Sequence, residues 1–455
     1  MTDKGTMTMI DRRTLCVSGA ALAAATLAAT RGDAAAKEPF VRRVGTGFRL
    51  GDKPYRFVGA NMWYGAYLGA DAPFGDRARL RRELDALAAL GVTNLRVLAS
   101  SEQSPLKGAI TPTFRGPGKE LNAALLGGLD YLLVEMRRRN MRAVLYLTNF
   151  WEWSGGMMTY LSYVNGGRFI NMNDPAHPWP AFADMASDFY GNPRAVALYR
   201  DYIRALVGRT NAASGMRYAD DPTIMAWQLA NEPRPGGGDA VALRNLPAFY
   251  RWVADSAALI KTIDRNHLVS TGSEGLKGCI ERADIVEAEH RIAGIDYLTA
   301  HVWPLNWSWI DAKDLAGTRA AGATKVQDYL DQHIAIATRI GKPLVIEEFG
   351  YPRDGGSYDP AATTRYKDDF YRQIYAAVTA SAQAGGPIAG SNFWAWSGSG
   401  RAAHPDFRFR PGDRSYLGDP PHEPQGWYGV FAGDEGTKAV VRDHAAALAR
   451  LDAAA

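Results

Sequence analysis

Two glutamates end apolar segments that lie far apart in the 455-residue sequence. Glu232 closes the segment 224–232, and Glu348 closes the segment 343–348. Hydrolysis of a glycosidic bond needs one carboxylic acid to protonate the leaving oxygen and one carboxylate facing it across the bond. A single glutamate at the end of a strand is more often a salt-bridge partner than a catalyst. The pair therefore indicates catalysis only if other suitable residues accompany it.

Further polar and aromatic residues end similar segments elsewhere in the chain. Arginine beside a carboxylate keeps that carboxylate ionised, and an asparagine amide can hydrogen-bond a sugar hydroxyl. Indole faces pack against the C–H faces of sugar rings without needing charge. The accompanying set consists of Arg96, Asn231 and His301 with Trp63, Trp151, Trp153, Trp303 and Trp394. Together with the two glutamates, this set favours a catalytic site that binds sugars.

These side chains can meet only if the segments that carry them end at one edge of a sheet. From residue 55 onward, short apolar segments alternate with helical patterns, as in the leucines between residues 80 and 90. The eight apolar segments are 56–61, 92–99, 142–149, 224–231, 267–271, 296–303, 343–349 and 386–396. Eight such units predict an α/β protein with a (β/α)8 (TIM) barrel, whose active site lies at the C-terminal ends of the strands. The alternative, a doubly wound open sheet, usually carries a glycine-rich turn after its first strand, and none follows the first segment here.

Five stretches of the chain resemble motifs of one known family. They are residues 94–96, 147–157, 221–234, 266–272 and 419–427, the second with Thr148-Asn149-Phe150-Trp151 and the third ending Asn231-Glu232-Pro233-Arg234. From about Phe40 to Ala447, the chain resembles glycoside hydrolase family 5, and within it the endo-β-1,4-mannanases of subfamily 7.

The resemblance implies a retaining endo-β-mannanase that cleaves β-1,4-mannosidic bonds by double displacement. Glu232 would be the acid/base and Glu348 the nucleophile, and Trp394 would lie under the reacting sugar. The expected partner is a polysaccharide, either mannan, glucomannan or galactomannan. A β-1,4-glucanase of the same family is the nearest alternative. A non-catalytic polysaccharide-binding barrel is a second, but such a barrel would lack one of the carboxylates or Arg96.

Two positions leave the assignment of roles open. Glu347 and Glu348 are neighbours, and strand alternation sends neighbouring side chains in opposite directions. The segment is apolar on both faces, so its pattern cannot choose between them; the resemblance selects Glu348 because an aromatic residue and glycine follow it. Trp303 stands where the family usually has a tyrosine whose hydroxyl contacts the nucleophile. Because indole is only a donor, we predict that Trp303 serves as a sugar platform.

Composition excludes several other classes of function. The formal net charge is only +4 and no Lys/Arg tract occurs, which argues against a nucleic-acid partner. The chain has two cysteines, Cys16 and Cys279, and its histidines show no ligand spacing. We therefore expect no metal, no cofactor and no disulfide framework, and we expect a monomer.

The first 36 residues predict an export signal. Arg12 and Arg13 precede an apolar run of about 14 residues, shorter than the roughly 20 that span a bilayer. Ala34-Ala35-Ala36 supplies the small residues of a cleavage site. Paired arginines before a weakly apolar run indicate a twin-arginine signal, with an ordinary Sec signal as the alternative. Residues 37–455 would then form a single catalytic domain, periplasmic or secreted, with no membrane contact after the signal is removed.

Overall fold

The computed structural model describes residues 1–2 and 38–454. The chain divides into two units, Met1–Pro39 and Phe40–Ala455, and all the elements below belong to the second. Residues 3–36 of the predicted export signal lie outside the described residues, so the signal and its processing stay a prediction.

Thirteen strands and eleven α-helices make up the described part of the second unit. The strands are β1 Val41–Val44, β2 Gly47–Leu50, β3 Lys53–Pro54, β4 Phe57–Asn61, β5 Asn94–Leu98, β6 Arg142–Tyr146, β7 Ile224–Gln228, β8 Leu268–Ser270, β9 Leu298–Val302, β10 Leu344–Phe349, β11 Ile388–Phe393, β12 Trp396–Gly398 and β13 Val430–Phe431. The helices are α1 Gly65–Gly69, α2 Arg77–Ala89, α3 Ala123–Arg137, α4 Gly156–Val164, α5 Ala181–Ser187, α6 Pro193–Val207, α7 Asp239–Ile263, α8 Ala283–Arg291, α9 Leu315–Ile340, α10 Arg365–Gln383 and α11 Glu435–Ala454.

Strands β4 to β11 form one parallel sheet that closes on itself. The order of the strands is β8-β7-β6-β5-β4-β11-β10-β9, so β4 pairs with β11. A parallel bridge between Ser270 and Tyr297 joins the two remaining edges. Every one of these strands is buried along its whole length, as expected for a parallel sheet covered by helices. The predicted (β/α)8 barrel is confirmed.

The N-terminal end of the barrel is covered by a feature that the sequence pattern did not predict. Strands β1 to β3 form a small antiparallel sheet that precedes the first barrel strand. Its Phe48 is buried, with its ring 5.5 Å from the ring of Tyr297 and 6.4 Å from that of Phe57. This apolar cover leaves the opposite, C-terminal end of the barrel as the open one.

Polar side chains cap the N-terminal ends of three helices. Asp76, Asn122 and Asn192 each accept hydrogen bonds from the first turn of the following helix, which satisfies backbone N–H groups that have no partner within the helix. The segment between β12 and β13 contains no helix or strand, as expected for a long loop after the eighth barrel strand. No helix in residues 38–454 combines the length and apolarity needed to cross a bilayer.

Candidate active site

A cavity of about 480 Å³ opens at the C-terminal ends of the barrel strands. It is lined by both candidate glutamates and by four of the five predicted tryptophans. The lining residues are Trp151, Trp153, Met172, Trp179, Asn231, Glu232, Arg234, Glu274, Lys277, Trp303, Asn306, Trp307, Glu348, Trp394, Pro420, His422 and Glu423. The structure thus brings together Glu348 of β10 with residues that follow β6, β7, β8, β9, β11 and β12.

Glu232 follows β7 in a turn that aims its carboxylate across the cavity. Its φ is +50°, a left-handed conformation that is uncommon for a residue with a side chain, and its N–H donates to the carbonyl of Gly272 at 2.9 Å. Strained backbone of this kind is found most often at functional sites. The indole N–H of Trp151 donates to one carboxylate oxygen of Glu232, and His301 Nδ1 lies 2.6 Å from the other.

Glu348 and Glu347 both contact Arg96, although they are neighbours on one strand. The pairing of β10 with β9 shifts register between Ile346 and Glu348, and this irregularity removes the simple alternation of side chains along β10. Gln228 donates to both oxygens of Glu347 at 2.7 Å, and Glu347 is fully buried below the cavity. Only Glu348 reaches the cavity wall. Of the two candidates, Glu348 is therefore the one that a bound sugar can touch.

Arg96 holds the site together from beneath. Its guanidinium pairs with Glu348 and donates to Gln228 at 2.7 Å and to Asn231 at 2.7 Å. The side chain is completely buried and lies over the ring of Tyr146, with 4.7 Å from Cζ to the ring centre. Arg96, which the sequence predicted to lie beside a carboxylate in a sugar-binding site, therefore positions Glu348 and the Asn231 amide but does not itself line the cavity.

The two catalytic candidates share one histidine. His301 Nδ1 lies 2.6 Å from Glu232 and 3.2 Å from Glu348, and a carboxylate oxygen of Glu232 lies within 4.8 Å of a carboxylate oxygen of Glu348. Retaining glycosidases have carboxyl groups about 5–5.5 Å apart, whereas inverting enzymes need roughly 6.5–9.5 Å for a water molecule. The spacing fits the retaining geometry. His301 is fully buried behind the glutamates, so it too is placed beside them and not against the substrate.

His301 and Glu232 shift each other's pKa in opposite directions. Burial opposes the charge on His301, but Glu348, Glu232 and Glu347 outweigh it and raise the pKa of the imidazole well above its ordinary value. Burial also opposes the charge on Glu232 and by itself would raise the pKa of this carboxyl group. The hydrogen bond and charge of His301 outweigh burial and lower that pKa to about 2. Both shifts favour a proton on the imidazole, one hydrogen bond away from Glu232.

The predicted tryptophans have different positions. Trp394 and Trp303 meet edge to face with ring centres 5.8 Å apart, and Trp303 packs on Tyr428 at 4.9 Å. Trp303 lines the cavity, and its use as a sugar platform stays a prediction. Trp63 does not line the cavity: it is 1% exposed, packs under Trp153 with ring centres 5.7 Å apart, and donates to the carbonyl of Gly418. Its predicted contact with substrate is corrected to a supporting role.

Sequence reasoning missed an ion pair that forms the cavity floor on the side of Glu232. Arg234 pairs with Glu274 and lies over Trp151 and Trp179, at 4.9 and 5.8 Å from the ring centres. The indole N–H of Trp307 donates to Glu274 at 3.1 Å. The family motif included Arg234 in its sequence, but nothing in the pattern showed that it faces Glu274, whose role was left undecided.

The motif 419–427 includes Glu423, from the loop between β12 and β13, but its pattern assigned no role to this residue. Glu423 lines the cavity, and one of its carboxylate oxygens is buried without a hydrogen-bond partner in the described structure. Burial, together with Asp419, Glu348 and Glu232, raises the pKa of Glu423 well above its ordinary value. A protonated Glu423 could donate a hydrogen bond to a sugar hydroxyl.

Comparison with known proteins now identifies the family. A model described as "GH family 5 beta-mannosidase-like" matches residues 38–453. The chain belongs to glycoside hydrolase family 5. It is 30% identical to mannan endo-1,4-beta-mannosidase 1 of Oryza sativa subsp. japonica over 370 residues, covering 78% of each chain. A crystal structure of a family 5 mannosidase from Rhizomucor miehei has the same fold, with a TM-score of 0.83. The two sequences are 33% identical, and the match covers 92% of this chain and 100% of that one. A mutant of the Rhizomucor miehei mannosidase in complex with mannosyl-fructose is 34% identical, with a TM-score of 0.82 and coverage of 91% and 98%.

The family, the barrel and the assignment to the glycoside hydrolases are thus confirmed. The comparisons leave the roles of individual residues to the geometry above.

Proposed function

We propose that the protein hydrolyses β-1,4-mannosidic bonds with net retention of configuration at the anomeric carbon. The observation that carries the proposal is the trio of Glu232, His301 and Glu348. One carboxylate oxygen of each glutamate and a ring nitrogen of His301 lie within 4.8 Å of one another, and both glutamates line a cavity rich in tryptophan. The substrate is suggested by the names of the family 5 relatives above. Mannan, glucomannan and galactomannan are the proposed polymers.

The first chemical step uses the proton of the His301–Glu232 pair. Transfer over the 2.6 Å hydrogen bond from Nδ1 to the carboxylate makes Glu232 the acid that protonates the leaving oxygen. Glu348 then attacks the anomeric carbon, the bond to the leaving sugar breaks, and a glycosyl ester forms on Glu348. Arg96 holds the Glu348 carboxylate in place through one of its two oxygens.

The second step reverses the roles. Glu232, now ionised, removes a proton from water, which attacks the anomeric carbon and releases Glu348. Asn231 is positioned to hydrogen-bond the sugar throughout, because its Oδ1 accepts from Arg96 at 2.7 Å and its Nδ2 donates to Asn149 at 3.1 Å. The second Nδ2 hydrogen remains available to the cavity.

Variants of the two glutamates test the assignment. Glu348→Ala should abolish turnover, whereas Glu232→Ala should keep activity on aryl mannosides with good leaving groups, since these need no acid. Added azide should then yield a β-mannosyl azide. Initial products of inverted configuration by NMR, or a trapped ester on Glu347, would refute the mechanism. Equal or faster turnover of carboxymethylcellulose would refute the choice of mannan but leave the family unchanged.

A specific observation favours a second mode of action, release of mannose from chain ends instead of cleavage within the chain. The loop between β5 and α3 meets the loop between β12 and β13 at one end of the cavity: a Cβ added at Gly108 would lie 3.1 Å from the Cβ of His422. Glu423 stands beside His422, and both line the cavity. A wall here would limit the number of sugars before the cleaved bond. Mannose as the first product from mannohexaose supports this mode, and a mixture of longer oligosaccharides supports internal cleavage.

A further inference from the structure

The side of Glu232 marks where the leaving sugar lies, because the acid protonates the leaving oxygen. On this side two tryptophan walls face each other over the Arg234–Glu274 ion pair. Trp151 and Trp179 form one wall against Arg234, and Trp307 stands over Glu274 in the other. The direction in which the bound chain runs through the cleft follows from the proposed function, on which the inference rests.

A second cavity, of about 310 Å³, lies on the other side of Lys277 from the catalytic cavity. Lys277 lines both cavities, and its ammonium lies 5.7 Å from the ring centre of Trp307 and 5.5 Å from that of Trp309. The two indoles are 4.7 Å apart. The second cavity is lined by Leu276, Lys277, Trp309, Lys325, Asp328 and Gln332, among others.

The chemistry of this second cavity suits an uncharged, hydroxyl-rich chain. Trp309 is only half-buried, so its ring offers a stacking surface, and it packs on Tyr329 at 5.8 Å, which fixes its orientation. The amide of Gln332 and the carboxylate of Asp328 supply both donors and acceptors at the rim. The lining carries two cations, Lys277 and Lys325, and two anions, Glu281 and Asp328, so no excess charge selects an ionic ligand. Lys277 pairs with Glu281.

We propose that this second cavity binds the reducing-side continuation of a β-1,4-mannan chain, with Trp309 as the stacking platform. The chain would leave the catalytic cavity past Trp307, cross Lys277 and rest on Trp309. The continuous contact from Glu274 through Trp307 to Trp309 carries the inference. The protein would then prefer long substrates over short ones for a reason that lies outside the catalytic cavity.

The test measures kcat/KM for mannobiose to mannohexaose in the wild type, Trp309→Ala and Trp179→Ala. Loss of a stacking ring should raise KM for mannohexaose about 3- to 10-fold in Trp309→Ala and change mannobiose less than about 2-fold. Trp179→Ala is the matched control, because Trp179 lines only the catalytic cavity and should affect short and long substrates alike. Calorimetric titration of a Glu348→Ala background with the same oligosaccharides separates binding from chemistry.

Each outcome decides the proposal. An unchanged Kd for mannohexaose in a folded Trp309→Ala protein, or an equal loss at every length, overturns it. If Trp309→Ala lowers the melting temperature strongly, Gln332→Ala on the exposed face of α9 gives a second measurement, with a smaller loss confined to long substrates. If no manno-oligosaccharide binds or reacts, the proposed function fails instead, and the same length series with cello-oligosaccharides then tests the second cavity.

Discussion

Replacing Arg96 by lysine should separate the positioning of the site from its charge. The lysine keeps one positive charge near Glu348 but cannot present three donors in a fixed plane. The guanidinium donates to Glu348, to Gln228 at 2.7 Å and to Asn231 at 2.7 Å, so two charge-assisted hydrogen bonds should be lost. At about 1.5–3 kcal/mol each in a buried setting, the free energy of unfolding should fall by about 3–6 kcal/mol.

The catalytic effect follows from Asn231 and Glu348 losing their fixed positions. Release of one positioned hydrogen bond in the transition state costs about 3 kcal/mol, or about 100-fold in kcat/KM. The loss should fall mainly on kcat. The assay is initial-rate kinetics on mannotetraose below the melting temperature of the variant, with unfolding followed by circular dichroism.

A buried arginine remote from the cavity provides the control. Arg353 is completely buried and donates to both oxygens of Asp434 at 2.6 Å. Arg353→Lys should lower stability in a similar way and leave kcat of the folded protein within about 2-fold. If Arg96→Lys also leaves kcat within about 3-fold of wild type, the positioning argument is wrong.

Three further outcomes are expected. Burial raises the pKa of Glu289 to about 8 in the folded protein, above its value in the unfolded chain. The folded protein therefore holds the proton more tightly than the unfolded chain does. The free energy of unfolding that this proton contributes is present at acid pH and is lost as the pH rises to about 8. Glu289→Gln should therefore gain stability over wild type between about pH 5 and pH 8, on the order of 4 kcal/mol by denaturant unfolding, and an equal difference at all pH values would contradict this. Trp394→Ala and Trp151→Ala should each lower kcat/KM by the equivalent of about 1–3 kcal/mol without a collapse of the melting temperature. A collapse would show instead that the two rings belong to the core. Export is proposed to use the twin-arginine route, so changing Arg12 and Arg13 to lysine should leave precursor in the cytoplasm; normal export would indicate Sec.

The barrel could be predicted from sequence because its strands are buried on both faces. All eight apolar segments contain one of the barrel strands, since continuous burial leaves a continuous apolar pattern. The small sheet of β1 to β3 could not be predicted in the same way. Its strands have only two to four residues and several exposed positions, so no run of apolar residues marks it.

The candidate site was predictable where a residue ends a barrel strand and not where tertiary contact decides its role. Trp63 ends its strand as Trp394 does, yet the loop carrying Gly418 and the ring of Trp153 cover it. Glu423 lies 75 residues beyond Glu348 in a loop without regular structure, and only the folding of that loop over the barrel brings the two carboxylates together. Periodicity carries no information about such contacts.

Glu347 and Glu348 show why the geometry of one strand matters for the chemistry. In a regular strand only one of them would face the barrel interior, and the other would be buried against helices without a partner. The register shift before Glu348 lets Arg96 contact both, with Glu347 at 3.5 Å. Glu347 then fixes Gln228, which orients Arg96, and Arg96 holds Glu348. The buried neighbour therefore acts by keeping the guanidinium in place. A Glu347→Gln variant should consequently reduce kcat through Arg96 while Glu348 remains the residue that carries the ester.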